Sequence, residues 1–398
     1  MTSAIVLAAV LPLALAPIRA RVLGPSGRGE FAYFQAALSV ITAVSAIGIR
    51  HAYYAVTTPG DPRPHLKSRR VTLSASGLSL GLGIPLAWIG FASLSSTVGW
   101  SILIVALGGP LFAMTQLEVA SAQRDGRRKR IVAFAGLPSL VEFVGNIALL
   151  ALRSLTLWTA ITVTLFSELS RSLAGIRARA LDKPHLAPRD MVVLRTFEKA
   201  SWILAPATLV PILASNIDSL IYGALAPTSQ LGLYAVAKIA TSILLLGAIT
   251  LEGYFLQDVF QRGLRKALGR NGLALIGVAA AGAVLGLLLV PLLFGAAYHA
   301  AALAFPLSAT AGTLGVIYVW FSAHLASRGL QRLSLISAAA VLITLAAGCF
   351  IVTSFPSINP EIMIVPLIVA YLAGSLTSLV ALRRRRDTSA VNSLIDAE

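Results

Sequence analysis

A single cysteine, Cys349, rules out any internal disulfide in this 398-residue chain, and its place in an apolar run marks it as a small buried hydrophobe. Charge is almost as scarce, at 12% of residues, and acidic side chains are outnumbered by basic ones, 16 to 32. The sequence has no phosphate-cradling loop of the Gly-x-x-x-x-Gly-Lys-Ser/Thr kind, which excludes the usual apparatus of ATP hydrolysis. It also lacks a His-Glu-x-x-His pair and a cysteine cluster, so no metal or other cofactor is expected.

Apolar residues, at 57%, are what the chain has in excess. A soluble protein of this size could not bury so much apolar surface, which makes the net charge of +16 a topology signal and not a nucleic-acid footprint. We read about twelve stretches long enough to cross a bilayer, at 3–18, 31–56, 72–94, 98–121, 131–152, 156–176, 200–222, 231–254, 272–294, 301–324, 333–354 and 362–382. With Met1 in the cytoplasm, basic residues gather in every second connection: Arg63 to Arg70, Arg124 to Arg130, Arg177 to Arg195, Arg262 to Arg270, and the run Arg383 to Arg386. The opposite connections hold little beyond Arg19, Arg21, Arg28 and Arg153. Lys and Arg near span ends stay on the cytoplasmic side, so both termini are expected inside, in the plasma (inner) membrane. No basic segment precedes the first apolar stretch, which argues against a cleaved signal peptide.

The longest basic connection divides the chain into an N-terminal six-helix lobe (1–176), a linker (177–199), a C-terminal six-helix lobe (200–382) and a tail (383–398). The lobes echo each other. Leu23-Gly24-Pro25-Ser26 followed by Gly29-Glu30-Phe31-Ala32 matches Leu225-Ala226-Pro227-Thr228 followed by Gly232-Leu233-Tyr234-Ala235, with one residue of offset. Proline and glycine set a tight reversal in either case. Equivalent places in the two lobes favour a parallel duplication with a substrate path between them. Prolines inside the spans, Pro85, Pro110, Pro138, Pro206, Pro211, Pro306 and Pro366, predict kinked helices.

A charge in mid-bilayer costs about 2.5–3.5 kcal/mol on insertion scales, so each one needs a reason. Glu142 lies near the centre of the fifth span, and Asn146 shares its helix face one turn on. Together they are candidates for cation coupling, protonation or substrate binding, or for a helix-helix hydrogen bond. Asp218 and Lys238 stand at matched depth on consecutive antiparallel helices, either as an ion pair or, with Tyr222 and Tyr234, as the polar wall of a cavity. Glu168 and Arg171, at i,i+3 spacing, read as a structural pair. Arg50 ends the second span at the cytoplasmic interface, where snorkelling is its ordinary fate. Arg19 and Arg21 stand against the positive-inside trend, as if kept to meet an anion. The short outward loops hold few acid/base groups beyond Glu361 and His299, so an enzyme is not expected.

Three segments carry a family resemblance: Arg19 to Phe31, Asp218-Ser219-Leu220-Ile221 with Leu231-Gly232-Leu233-Tyr234-Ala235-Val236-Ala237, and Pro291-Leu292-Leu293-Phe294-Gly295 running on to Ala301. In that order they resemble bacterial polysaccharide (O-antigen type) flippases of the multidrug/oligosaccharidyl-lipid/polysaccharide exporter superfamily. The resemblance implies an all-α integral membrane protein of about twelve helices, in two six-helix bundles arranged as a V around a central cavity. It implies alternating-access transfer of an undecaprenyl-diphosphate-linked oligosaccharide from the inner to the outer leaflet. Membrane lipids, a polysaccharide polymerase and glycosyltransferases are its implied partners. In related lipid II flippases, arginines of the first helices meet the diphosphate, a role that falls here to Arg19 or Arg21, with Arg50 as a weaker candidate. Lys238 and Tyr234 join them as cavity residues, and Arg's planar donor fork suits phosphate oxygens.

A proton or sodium gradient, or the membrane potential, would drive transport, with Glu142 and Asp218 as coupling candidates and Asn146 beside the first. The segment Leu251-Glu252-Gly253-Tyr254 departs from the family, whose members often have a proline there. A multidrug or organic-cation exporter of the same superfamily is the main rival. A non-transport membrane component is the second rival.

Overall fold

A computed structural model describes residues 2–46, 48–49, 52, 69–124, 127–181, 190–262, 264–328, 330–355 and 358–395. Among them the regular structure is entirely helical. The described chain forms two compact units, Met1–Ser229 and Gln230–Glu398.

In the first unit α1 (Thr2–Ala46) is two helices in succession, broken at Gly24, where φ of 69° and ψ of 177° leave the helical region. Glycine takes that left-handed φ without a steric penalty, and Pro25 supplies a helix-compatible φ just after it. The helices α2 (Arg69–Ile89), α3 (Ser96–Leu107), α4 (Gly109–Arg124), α5 (Arg128–Ala151), α6 (Leu157–Leu181) and α7 (Asp190–Leu225) follow. A π-helical turn, Gly90–Leu94, ends α2. The helix α7 packs on α1, so the first compact unit runs on past the expected linker, into which α6 and α7 both extend.

Helix α8 (Thr228–Ala237) crosses from the first unit into the second, which also holds α9 (Ile239–Arg262), α10 (Leu264–Phe294), α11 (His299–Ser327), α12 (Gln331–Thr353) and α13 (Pro360–Ile395). The described parts of the expected spans are helical but for single turn and end residues, with 98–121 divided between α3 and α4, 231–254 divided between α8 and α9, and 50–56 apart from Ala52 outside the described residues. Six described helices are long and apolar enough to cross a membrane, and a seventh if the bent pair α3–α4 is one span. Much of their apolar surface faces outward: Leu273, Ile276, Val284 and Leu288 on α10 are more than half exposed. Lipid tails solvate such a surface, whereas water would not.

Internal prolines remove a donor from their own helix, and at two of them a side chain of a neighbouring helix donates to the carbonyl four residues back. Pro110 has no N–H for the carbonyl of Ala106, and the Ser79 hydroxyl of α2 donates to it at 3.0 Å. There α3 and α4 meet at a bend of 56°. Pro138 has none for Phe134, and Nε of Arg171 on α6 donates to that carbonyl at 3.3 Å. The Tyr33 hydroxyl of α1 donates at 3.0 Å to Leu86, just before the π turn.

Candidate functional site

The polar residues of α5 meet an arginine. Arg19, one turn before the break in α1, is 2% exposed and pairs through Nη2 with Oε1 of Glu142 at 2.7 Å. Its Nε donates to Oδ1 of Asn146 at 3.0 Å. The amide of Asn146 is held in turn, because its Nδ2 donates to the backbone carbonyl of Glu142 at 2.7 Å. Thr164, across on α6, donates its hydroxyl to the same Oε1 at 3.0 Å.

An aromatic ring completes the cluster. The guanidinium carbon of Arg19 stands 4.6 Å from the centroid of Phe31, on the helix after Gly24, and that of Arg28 stands 5.8 Å from the same ring. Both distances lie within cation–π range. Arg28, 8% exposed, also donates to Oε1 of Gln35 at 3.4 Å. Three helices thus hold one carboxylate and two guanidiniums, those of Arg19 and Arg28, far from the ends of α5. A buried charge is tolerable when it is paired and hydrogen-bonded, and Arg19 and Glu142 are both.

Close helix contact makes the geometry possible. A Cβ on Gly145 would stand 2.7 Å from Cγ1 of Val163, so the glycine lets α5 approach α6 near enough for Thr164 to reach Glu142.

The other expected residues are distributed differently. Arg21 is exposed, and Arg50 lies outside the described residues. Asp218 is wholly buried in α7 and accepts the Ser219 backbone N–H at 2.7 Å. In the second unit, Lys238 sits between α8 and α9 with its ammonium 5.8 Å from the ring of Tyr234, which is fully buried. The Glu168–Arg171 pair forms as the spacing predicts, at 2.9 Å. Among the described residues, no group of three or more His, Cys, Asp and Glu side chains is placed to hold a metal ion.

Sequence reasoning treated Arg19 as an anion ligand and Glu142 as a coupling carboxylate, and the structure makes them one ion pair. It missed Thr164 and Arg28. The signal for Thr164 was a hydroxyl in mid-span, and for Arg28 an arginine against the positive-inside trend.

Residues 18–251, which include the whole Arg19 cluster, match the family of polysaccharide biosynthesis proteins. The chain belongs to that family. No curated protein matches the sequence of this polysaccharide biosynthesis protein. Its fold is similar to that of the lipid II flippase MurJ in an inward closed conformation, with a TM-score of 0.71 at 12% identity over 94% of this chain and 87% of that one. It is also similar to an inward-facing multidrug resistance MATE family transporter of the MOP superfamily, with a TM-score of 0.61 at 15% identity over 98% and 96% of the two chains. The polysaccharide biosynthesis protein is therefore an all-helical, multi-pass membrane protein with the fold of that superfamily.

Proposed function

We propose that this protein is a flippase that carries an undecaprenyl-diphosphate-linked oligosaccharide from the inner to the outer leaflet by alternating access. The observation that carries the reading is Arg19: a guanidinium buried between helices of a polysaccharide biosynthesis protein, oriented by Asn146 and stacked on Phe31. A diphosphate headgroup needs a cation inside the protein while its sugars cross, and a guanidinium offers the matching donor fork.

Arg21 and Arg50 are further candidates for the diphosphate, and Lys238 and Tyr234 for the glycan. Asp218 joins Glu142 as a candidate for the coupling ion, H+ or Na+. The protein then acts without a chemical step of its own. It works in the plasma membrane with both termini in the cytoplasm, beside the glycosyltransferases that supply its substrate and the polymerase that consumes it.

A MATE-like exporter of organic cations is the second reading, since a carboxylate beside aromatic rings is what such a cargo needs. Against it, Glu142 is neutralised by Arg19 and offers a cation no uncompensated charge.

Deleting the protein in its host and labelling lipid-linked glycan by leaflet tests the reading. Build-up on the cytoplasmic leaflet, reversed by the wild type and not by an Arg19→Ala, Arg21→Ala double variant that still inserts in the membrane, is the expected result. Dye or drug efflux with normal surface glycan would favour the exporter.

A further inference from the structure

Arg19 is held by two partners of different kinds. Asn146 is neutral and locked, because its Nδ2 is tied to the backbone of its own helix, which leaves Oδ1 aimed at Nε of Arg19. Glu142 is charged and has a second hydrogen-bond partner of its own, the hydroxyl of Thr164. A hydroxyl both donates and accepts, so Thr164 can serve Glu142 as a carboxylate, by donating to it, or as a carboxylic acid, by accepting from it. Removing the charge on Glu142 therefore leaves Arg19 still oriented by Asn146 and Glu142 still hydrogen-bonded to Thr164.

We propose that Glu142 is a built-in competitor for the substrate's diphosphate, and that an anion binding at Arg19 displaces it with uptake of one proton onto its carboxylate. The inference rests on the flippase reading above. A phosphate oxygen on Nη2 of Arg19 takes the position that Oε1 of Glu142 holds. The two anions would then share one cation at contact distance, and like charges so placed cannot both stay ionised in a buried site. The weaker acid of the pair takes the proton, which comes from the medium and forms an O–H bond on Glu142. Its new partner is the hydroxyl of Thr164 or a phosphate oxygen.

The surroundings of Glu142 favour neutralisation by a proton over a replacement cation from the protein. Helix α1 presents Arg19, which the substrate has claimed, while Arg28 lies at the ring of Phe31 and Gln35. Helix α6 presents Glu168, which lies within electrostatic reach of Glu142 and is itself paired with Arg171. That arginine is further engaged by the carbonyl of Phe134. From α4, Glu118 lies beside Gly175, about three turns beyond Thr164 along α6.

The test is calorimetry on the purified protein in lipid nanodiscs, with an undecaprenyl-diphosphate-linked monosaccharide as the probe, because its doubly esterified diphosphate has no proton to exchange near neutral pH, in two buffers of different ionisation enthalpy at one pH. The dependence of the binding heat on the buffer gives the number of protons exchanged. We expect about one proton taken up per lipid bound. Glu142→Gln should bind at least as tightly with no uptake, because the amide cannot neutralise Arg19. Binding by the wild type without proton uptake, or uptake that survives in Glu142→Gln, would overturn the competition and leave the flippase reading intact. Absence of binding by a folded wild-type protein would overturn the diphosphate site and the competition together. The wild-type measurement decides the matter even if the variant fails to fold.

Discussion

The hydroxyls of Ser26 and Thr228 lie 2.7 Å apart, although 202 residues separate them in the chain. They occupy the same place in the two echoed turns, Leu23-Gly24-Pro25-Ser26 and Leu225-Ala226-Pro227-Thr228. Replacing Ser26 by Ala and Thr228 by Val, singly and together, should give a coupling of about 0.5–1 kcal/mol in a double-mutant cycle of unfolding in detergent. A coupling near zero would mean that the two hydroxyls are neighbours without being bonded.

Arg19→Ala leaves the carboxylate of Glu142, which is mostly but not wholly buried, without its cation. That should cost about 3–5 kcal/mol, the usual penalty for breaking one side of a buried pair. The double variant Arg19→Ala, Glu142→Gln should recover much of the loss. Tryptophan fluorescence during thermal unfolding reads both, and a double variant no more stable than Arg19→Ala would refute the pairing as the source of the cost.

Ser79→Ala should cost about 0.5–1.5 kcal/mol, because the carbonyl of Ala106 loses the Ser79 hydroxyl, keeps only a backbone N–H at the end of α3, and gets none from Pro110. In a Pro110→Ala background the helix can supply the missing N–H, and the same serine replacement should cost less. Equal costs in the two backgrounds would contradict the assignment.

Two glycines should answer oppositely to alanine. At Gly223 an added Cβ would stand 2.2 Å from the ring of Tyr33, which is fully buried and anchored to Leu86 by its hydroxyl. Gly223→Ala should therefore destabilise by about 1–3 kcal/mol through overpacking. At Gly247, in α9, a Cβ meets nothing within 4 Å. There the substitution should gain about 0.5–1 kcal/mol from helix propensity, and thermal unfolding distinguishes the two.

The spans, the break at Gly24 and the Glu168–Arg171 pair were legible because each rests on local spacing: apolar run length, a glycine-proline turn, an i,i+3 step. Glu142 and Asn146 stood out for a similar reason, as polar groups one turn apart in an apolar helix. Their pairing with Arg19 was not legible. Contact across 123 residues depends on how α1 and α5 are rotated about their own axes, and α1 carries too uniform an apolar surface for periodicity to fix that rotation. The distance from the expected outer end of the first span to mid-bilayer also hid the pair, since the long arginine side chain covers it. Arg171 as a donor to the Phe134 carbonyl needed Pro138 and α6 to be seen side by side.

Neither bend in α3–α4 nor the proline turn of α5 is a free joint. Each is fastened by a side chain anchored on another helix, Ser79 on α2 for one and Arg171 on α6 for the other. A helix that straightened or bent further at Pro110 or Pro138 would either carry its neighbour along or give up that contact. Bending of one helix and sliding of the next are in this way a single mechanical degree of freedom, and a protein that must change shape inside a lipid bilayer gains a small number of defined motions in place of many loose ones.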